Sequence, residues 1–295
     1  MKLLRAATLT TPDPDATAAR YGEWLDYSVV ERGVIDAGLA TSWGCPASAG
    51  KRYVLAQPAS GADVYLRFAE GVGHPDYRPL RTYGWNAIEI CVQDVLAVND
   101  RMARSPFEII GPPRELDGMP SIFPMQVKGP DQEIVYLTQI RGNLPAYDLP
   151  RAASLIDKLF ILVMGCSDMR ASIDWFEHHV GLSFGREIEL IYTMIAQAYG
   201  LPVDQKHTIS TGVHERDVFL EFDQYPDAAI PRPGQPGELP PGIALCTLKH
   251  PDFDSVKGPW IVEPVRREGA LYGGGRVGTL VAPDGTLVEI VEVSR

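Results

Sequence analysis

Two glutamates set in apolar strand patterns carry the most chemistry in this sequence. Glu289 stands in Leu287-Val288-Glu289-Ile290-Val291, and Glu221 stands in Val218-Phe219-Leu220-Glu221-Phe222. A carboxylate inside such a run either projects to solvent or faces a cavity. Two that face each other in a cavity repel, so one holds a proton near neutral pH and the pair can serve as general acid and base. His207 opens the strand before Glu221, in Lys206-His207-Thr208-Ile209. A strand histidine there is a proton shuttle, a metal ligand beside the two acids, or a plain surface residue.

Aromatic residues gather nearby. Tyr192, Met194 and Tyr199 lie on a helical insert, Ile191–Gly200, which at the mouth of a cavity would act as a lid. Together with Phe222 and Trp260 they suit an apolar or aromatic substrate, with ordinary packing as the alternative for each. Tyr272 precedes Gly273-Gly274-Gly275-Arg276-Val277-Gly278, a literal G-x-G-x-x-G. Nucleotide binding needs a strand before that motif and a helix after it. Here a strand follows, so the stretch reads as a hairpin loop where backbone, with Tyr272, approaches a ligand. His178 and His179 close a helix, where cationic side chains suit the dipole, and His214 lies in a hairpin turn.

The elements that must position these residues repeat. Residues 3–10 form a strand, Ala16–Leu25 a helix, and Ser28–Asp36, Arg52–Gln57 and Asp63–Phe68 three more strands: a βαβββ unit. A second unit runs from Ala87 to Gln139 and a connector from Arg141 to Asp157. In the third unit Leu159–Met164 is a strand, Ser167 or Asp168 caps a helix to Val180, and Leu182–Leu190, His207–Thr211 and Asp217–Asp223 are strands. The fourth unit, Ile243 to Val293, has a poorly marked helix. In its Pro283-Asp284-Gly285 turn Pro283 presets φ, Asp284 bonds its own backbone and Gly285 takes the positive φ. Asp13 matches Asp168, Tyr21 matches Phe176, Val64–Phe68 matches Val218–Phe222, and Gly129-Pro130-Asp131 matches Ala282-Pro283-Asp284, all at nearly constant spacing. That regularity indicates a duplicated chain of four units, two per half. The expected fold class is α+β, with an N-terminal pair of units at 1–140, a linker at 141–157 and a C-terminal pair at 158–295.

Composition narrows the partners. The net charge of −11 over 295 residues argues against a nucleic-acid or anionic-membrane partner, since either wants a basic face. Four dispersed cysteines with no CxxC fit a reducing compartment. No signal peptide and no membrane-length apolar run is apparent, so a cytoplasmic location is expected.

The run Leu162-Val163-Met164-Gly165-Cys166-Ser167-Asp168-Met169-Arg170-Ala171-Ser172-Ile173-Asp174-Trp175-Phe176, with the closing Ala282-Pro283-Asp284-Gly285-Thr286-Leu287-Val288-Glu289-Ile290, resembles the vicinal oxygen chelate superfamily. That group includes glyoxalase I, the extradiol dioxygenases, methylmalonyl-CoA epimerase, and the bleomycin- and fosfomycin-resistance proteins. The resemblance implies that two units curl into one open barrel, so four make two tandem glyoxalase/dioxygenase-like cups. It also implies a divalent ion held by a His or Gln from a unit's first strand and a Glu from its last.

At the last-strand places the C-terminal half carries Glu221 and Glu289, and the N-terminal half Arg67 and Tyr136. The site is therefore expected in the C-terminal cup, with the N-terminal cup degenerate. Seven positions before each pre-helix Asp stand Ala6, Ala87, Ile161 and Leu245, none of them a ligand. No cofactor is therefore expected; a divalent metal on His207, Glu221 and Glu289 is the alternative. The leading expectation is an enzyme moving a proton next to an oxygenated carbon of a small apolar or aromatic compound, as a lyase or isomerase. Glu289 would be the base, Glu221 its partner and His207 the shuttle. A metal-dependent dioxygenase or glyoxalase with nonstandard ligands, and a non-catalytic binding protein of the resistance type, are the other readings. A homodimer stays open, since units can pair within a chain or swap between chains.

Overall fold

The computed structural model describes residues 2–293. Unit one comprises β1 (Leu4–Thr11), α1 (Pro14–Leu25), β2 (Tyr27–Val34), α2 (Ala37–Ser42), β3 (Arg52–Pro58) and β4 (Tyr65–Glu70). Unit two comprises β5 (Gly84–Val92), α3 (Val95–Met102), β6 (Glu108–Gly111), β7 (Ile122–Lys128) and β8 (Ile134–Ile140). Unit three holds β9 (Ile156–Cys166), α4 (Met169–His179), β10 (Ser183–Phe184), β11 (Ile188–Ile191), α5 (Thr193–Tyr199), β12 (Lys206–His214) and β13 (Asp217–Gln224). Unit four holds β14 (Ile243–His250), a 3-10 turn at Phe253–Ser255, β15 (Val265–Arg266), β16 (Arg276–Ala282) and β17 (Thr286–Glu292). The fold is α+β, built from four βαβββ units.

The three long helices start the same way. Asp13, Asp94 and Asp168 each sit in extended backbone and accept first-turn N–H groups with their carboxylates. Asp252 makes no such cap, and unit four's helix shrinks to the 3-10 turn. The single strand expected at 182–190 is instead two short ones, β10 and β11, each paired to β12. The short α2 was not expected. It is capped by Asp36 on the Leu39 N–H at 2.8 Å, and it delivers Trp43 to the interior.

The sheets join the units in an order that the sequence reading did not anticipate. The eight-stranded sheet runs β15-β16-β17-β14-β1-β4-β3-β2, and the nine-stranded sheet runs β10-β12-β13-β9-β5-β8-β7-β6, with β11 beside β12. Unit one therefore pairs with unit four, and unit two with unit three. The expected pairing within 1–140 and within 158–295 is corrected accordingly. The seams are antiparallel first strands, β1 with β14 and β5 with β9. These four strands are buried along nearly their whole length, so each must sit centrally with a neighbour on both sides.

Units one and two, and units three and four, meet differently, through the turn before the last strand of the later unit. Asp131 of unit two accepts hydrogen bonds from Thr11, Thr17 and Arg20 of unit one. Asp284 of unit four accepts from the Ser167 N–H at 3.0 Å and hydroxyl at 2.7 Å in unit three. Asp284 thus bonds another unit rather than its own backbone, and it shares the positive φ with Gly285 (59° and 71°). The largest apolar core joins both sheets to α1, α3 and α4. The opposite face of each sheet forms a cup. All four cysteines are buried and free. No helix among the described residues is long and apolar enough to cross a membrane.

Candidate active site

Each cup presents four equivalent strand positions at its centre. They are the residue five before the pre-helix Asp and its partner on the unit's last strand. In the cup of units one and four, Thr8 pairs with Arg67 and Thr247 with Glu289. In the cup of units two and three, Glu89 pairs with Tyr136 and Val163 with Glu221. Glu221 and Glu289 belong to different sheets and do not face each other, so the expected carboxylate pair does not exist. A common metal site on His207, Glu221 and Glu289 is excluded by the same separation.

The first cup is filled by its own side chains. Glu289 is fully buried and accepts from Trp43 Nε1 at 2.7 Å, Thr247 Oγ1 at 2.8 Å, Tyr272 OH at 3.1 Å and Arg67 Nη2 at 3.3 Å. Arg67 also donates from Nε to Thr8 Oγ1 at 2.9 Å and from Nη1 to the Tyr272 hydroxyl at 2.6 Å, and it lies 4.5 Å from the Trp43 ring centre. Burial opposes its charge, but Tyr272 and Glu289 raise its pKa overall. A guanidinium therefore occupies the place where the resemblance would put an ion. These residues do not fit a metal, and Glu289 has no free oxygen for a substrate.

The second cup holds a carboxyl cluster that its own chain leaves incompletely paired. Glu89, Glu221 and Asp223 are 7%, 7% and 0% exposed. Thr138 donates to Glu89 Oε1 at 2.5 Å, and Tyr192 donates to Glu221 Oε1 at 2.5 Å. As a carboxylate Asp223 finds no donor for either oxygen. As a carboxylic acid it can donate to Glu221, two residues away on the same strand face. Burial pushes all three acids above the usual carboxylate range. The charge on Glu221 pushes Glu89 and Asp223 up further, whereas hydrogen bonds from Tyr192 and Asp223 moderate the rise at Glu221. Packing makes room for the cluster's neighbour Tyr225: a Cβ on Gly165 would meet its ring at 2.7 Å.

The second cup does not suit a metal either. Among the described residues no group of three or more His, Cys, Asp and Glu side chains is arranged to hold an ion. Tyr136 and Val163 fill two of the four ligand positions, which leaves Glu89 and Glu221 as the only carboxyls there. The residues present do not fit the ion that the resemblance implies.

The remaining expected residues fall in different places. Tyr192 caps the start of α5 and lies edge-on to Tyr136, ring centres 6.5 Å apart. A cavity of about 280 Å³ opens on its outer side, lined by Ile110, Pro124, Gln126, Leu190, Tyr192 and Met194 among others. Tyr199 packs at the edge of the same cup, 6.1 Å from Tyr225. His207 lies on β12 opposite Leu190, whereas Glu221 lies opposite Thr211. Four residues along a strand is roughly 13 Å, too far for a direct shuttle, and burial lowers the His207 pKa and keeps it neutral.

Phe222 points away from the cup into Phe176 and Phe184, at 5.0 and 4.8 Å. Trp260 stacks on Phe253 and lies against Gly278 on the helix side of its sheet. Tyr272 belongs to the sealed first cup. Glu89, Asp223 and Thr138 were missed. Glu89 carries the signal that exposed Glu289, a lone acid in the apolar strand Ala87-Ile88-Glu89-Ile90-Cys91.

No protein-family model matches the chain, and no curated protein matches it. Among solved structures it is similar to glyoxalase I from Zea mays, at 17% identity, covering 99% of this chain and 92% of that one with a TM-score of 0.65. It is also similar to a candidate dioxygenase from Bacillus subtilis subsp. subtilis strain 168, at 12% identity, covering 99% and 86% of the two chains with a TM-score of 0.62. The chain has the vicinal oxygen chelate fold, with all four units in one polypeptide.

Proposed function

We propose that the cup of units two and three moves a proton at a carbon next to an oxygenated carbon of a small apolar or aromatic compound, the chemistry of an isomerase or a lyase. One observation carries this reading: Glu89, Glu221 and Asp223 pack into one buried cluster. Three carboxyls in one low-dielectric space cannot all be charged. Protonated and ionised carboxyls therefore sit side by side near neutral pH, as a site that both takes and returns a proton requires. The similarity to glyoxalase I and to a candidate dioxygenase, and the mixed apolar and polar walls of the adjoining cavity, favour a small oxygenated substrate.

In this reading the Glu221 carboxylate takes the proton as the C–H bond breaks. The electron pair moves into the bond toward the oxygenated carbon, and the carbonyl oxygen gains the proton of Glu89 as an enol forms. An isomerisation is completed when Glu221 returns its proton to the former carbonyl carbon and the hydroxyl on the carbon that lost the proton gives its own proton to Glu89. An elimination is completed when the enol hydroxyl returns its proton to Glu89 and a group leaves the next carbon with its bonding electron pair, taking the proton held by Glu221. Asp223, hydrogen-bonded to Glu221, holds that carboxylate in its ionised form and orients it. No redox partner is needed, and no step runs through a metal.

The test is solvent deuterium exchange. A panel of small hydroxyketones and aryl ketones in heavy water, followed by proton NMR, should lose the signal at the carbon next to the carbonyl with wild-type protein. Glu221→Gln should slow that loss by about 10²–10⁴-fold. Equal rates for wild type and Glu221→Gln would sink the assignment. Binding of panel members without any exchange would leave the cup a binding site only.

A further inference from the structure

We propose, resting on the second cup as the site, that a hydroxyl on an aromatic ring of the substrate is seated on Glu221 Oε1, with the other carboxylate oxygen left to take the C–H proton, and that Tyr192 occupies the hydroxyl's place in the free protein. The Tyr192 hydroxyl is already a phenol hydrogen-bonded to Glu221 at 2.5 Å. Its ring meets the edge of Tyr136, a wall of the cup itself that stays when Tyr192 leaves. The geometry over Glu221 is therefore that of a phenol held by its oxygen at one end and by an aromatic edge at the side.

The first cup repeats this motif and locks it. There the Tyr272 hydroxyl donates to Glu289 at 3.1 Å and accepts from Arg67 Nη1 at 2.6 Å. Tyr272 is pinned from both sides, while the Tyr192 hydroxyl makes one hydrogen bond. The segment carrying Tyr192 has few backbone ties, although Met194, Ile195 and Ala196 of α5 are buried. β11 pairs with β12 alone, and α5 spans seven residues with no side-chain cap at its start. The cavity beyond Tyr192 gives the ring somewhere to go, and gives an incoming ring a path. Tyr192 thus touches both the carboxyl cluster and the cavity. It resembles the group it would yield to.

Phenol and toluene serve as probes, since they share a ring and differ in the hydroxyl. Tyr192→Phe keeps the ring and loses only the hydrogen bond that competes with a ligand. By titration calorimetry Tyr192→Phe should bind phenol about tenfold more tightly than wild type, with toluene affinity unchanged. In wild type, phenol should also speed amide hydrogen exchange across residues 193–199. Glu221→Leu, which leaves no acceptor, should abolish the preference for phenol over toluene. Equal phenol affinity in wild type and Tyr192→Phe, an equal gain for toluene, or a preference that survives Glu221→Leu would each overturn the proposal. These readouts need no turnover. Lost deuterium exchange with an intact phenol preference sinks the proton-transfer reading alone, and the reverse result sinks this inference alone.

Discussion

The Arg67 guanidinium lies 3.3 Å from Glu289 Oε2, with the two side chains 2% and 0% exposed. The pair joins the last strand of unit one to the last strand of unit four, at the centre of their cup. Removing one member of a buried pair leaves the other charged and unsatisfied, which typically costs about 3–5 kcal/mol. Glu289→Gln should lower folding stability by that order in urea titration. Glu289→Leu should cost more, because Trp43, Thr247 and Tyr272 then lose their acceptor as well. Proton-transfer activity per folded molecule should be unchanged in Glu289→Gln. A hundredfold loss there would return the chemistry to the first cup.

Glu221→Gln should behave in the opposite way. The substitution replaces a buried acid with a neutral side chain that still accepts from Tyr192. The urea midpoint at pH 8 should be equal to or above that of wild type, while deuterium exchange into substrate falls by about 10²–10⁴-fold. A large stability loss with normal exchange would make Glu221 structural.

Glu89 should report the charge on Glu221. Burial raises the Glu89 pKa, and the Glu221 carboxylate raises it further. In Glu221→Gln that second push is gone, so the Glu89 midpoint should fall while staying above an ordinary carboxylate. Carbon-13 NMR of the labelled side-chain carboxyls measures it directly. An unmoved midpoint would show that the two carboxyls do not sense each other.

Glu133, just before β8, gives a separate pH dependence. It is 2% exposed, and neither carboxyl oxygen has a hydrogen-bond partner. Burial pushes its pKa from 4.5 up to about 7. The folded state then binds this proton more tightly than the unfolded chain does, so stability is greatest at acid pH. It falls as pH rises from about 4.5 toward 7 and levels off above that. The shift corresponds to about 3 kcal/mol. Glu133→Gln should flatten that slope and stand above wild type in urea at pH 8. Parallel pH profiles for the two proteins would refute it.

The units and their helix starts were legible because local chemistry writes them. An Asp before an amphipathic run caps a helix, and Pro-Asp-Gly turns a chain. The partnership of units was not legible, because β1, β5, β9 and β14 are all buried on both faces and carry no pattern that names a neighbour. Strand alternation decided more than was taken from it. Phe222 follows Glu221 directly and so must face away from it. The same alternation sets Ala87, Glu89 and Cys91 on one face and Ile88, Ile90 and Val92 on the other. Counting seven positions before the cap led to Ala87, whereas the centre of the cup lies at five.

The order of units in the two sheets also fixes when each cup can exist. During synthesis, everything the second cup needs has been made once β13 is complete. The first cup waits for β14, since Thr8 pairs with Leu245, more than 200 residues downstream. Until then the nascent chain carries β1 as an uncovered apolar edge, open to pairing with another chain. Chains stopped after residue 230 should hold a protease-resistant middle and a labile N-terminal unit, and should aggregate through the latter. The sealed cup, with no room for a ligand, is then the late closing step that makes the finished polypeptide self-contained.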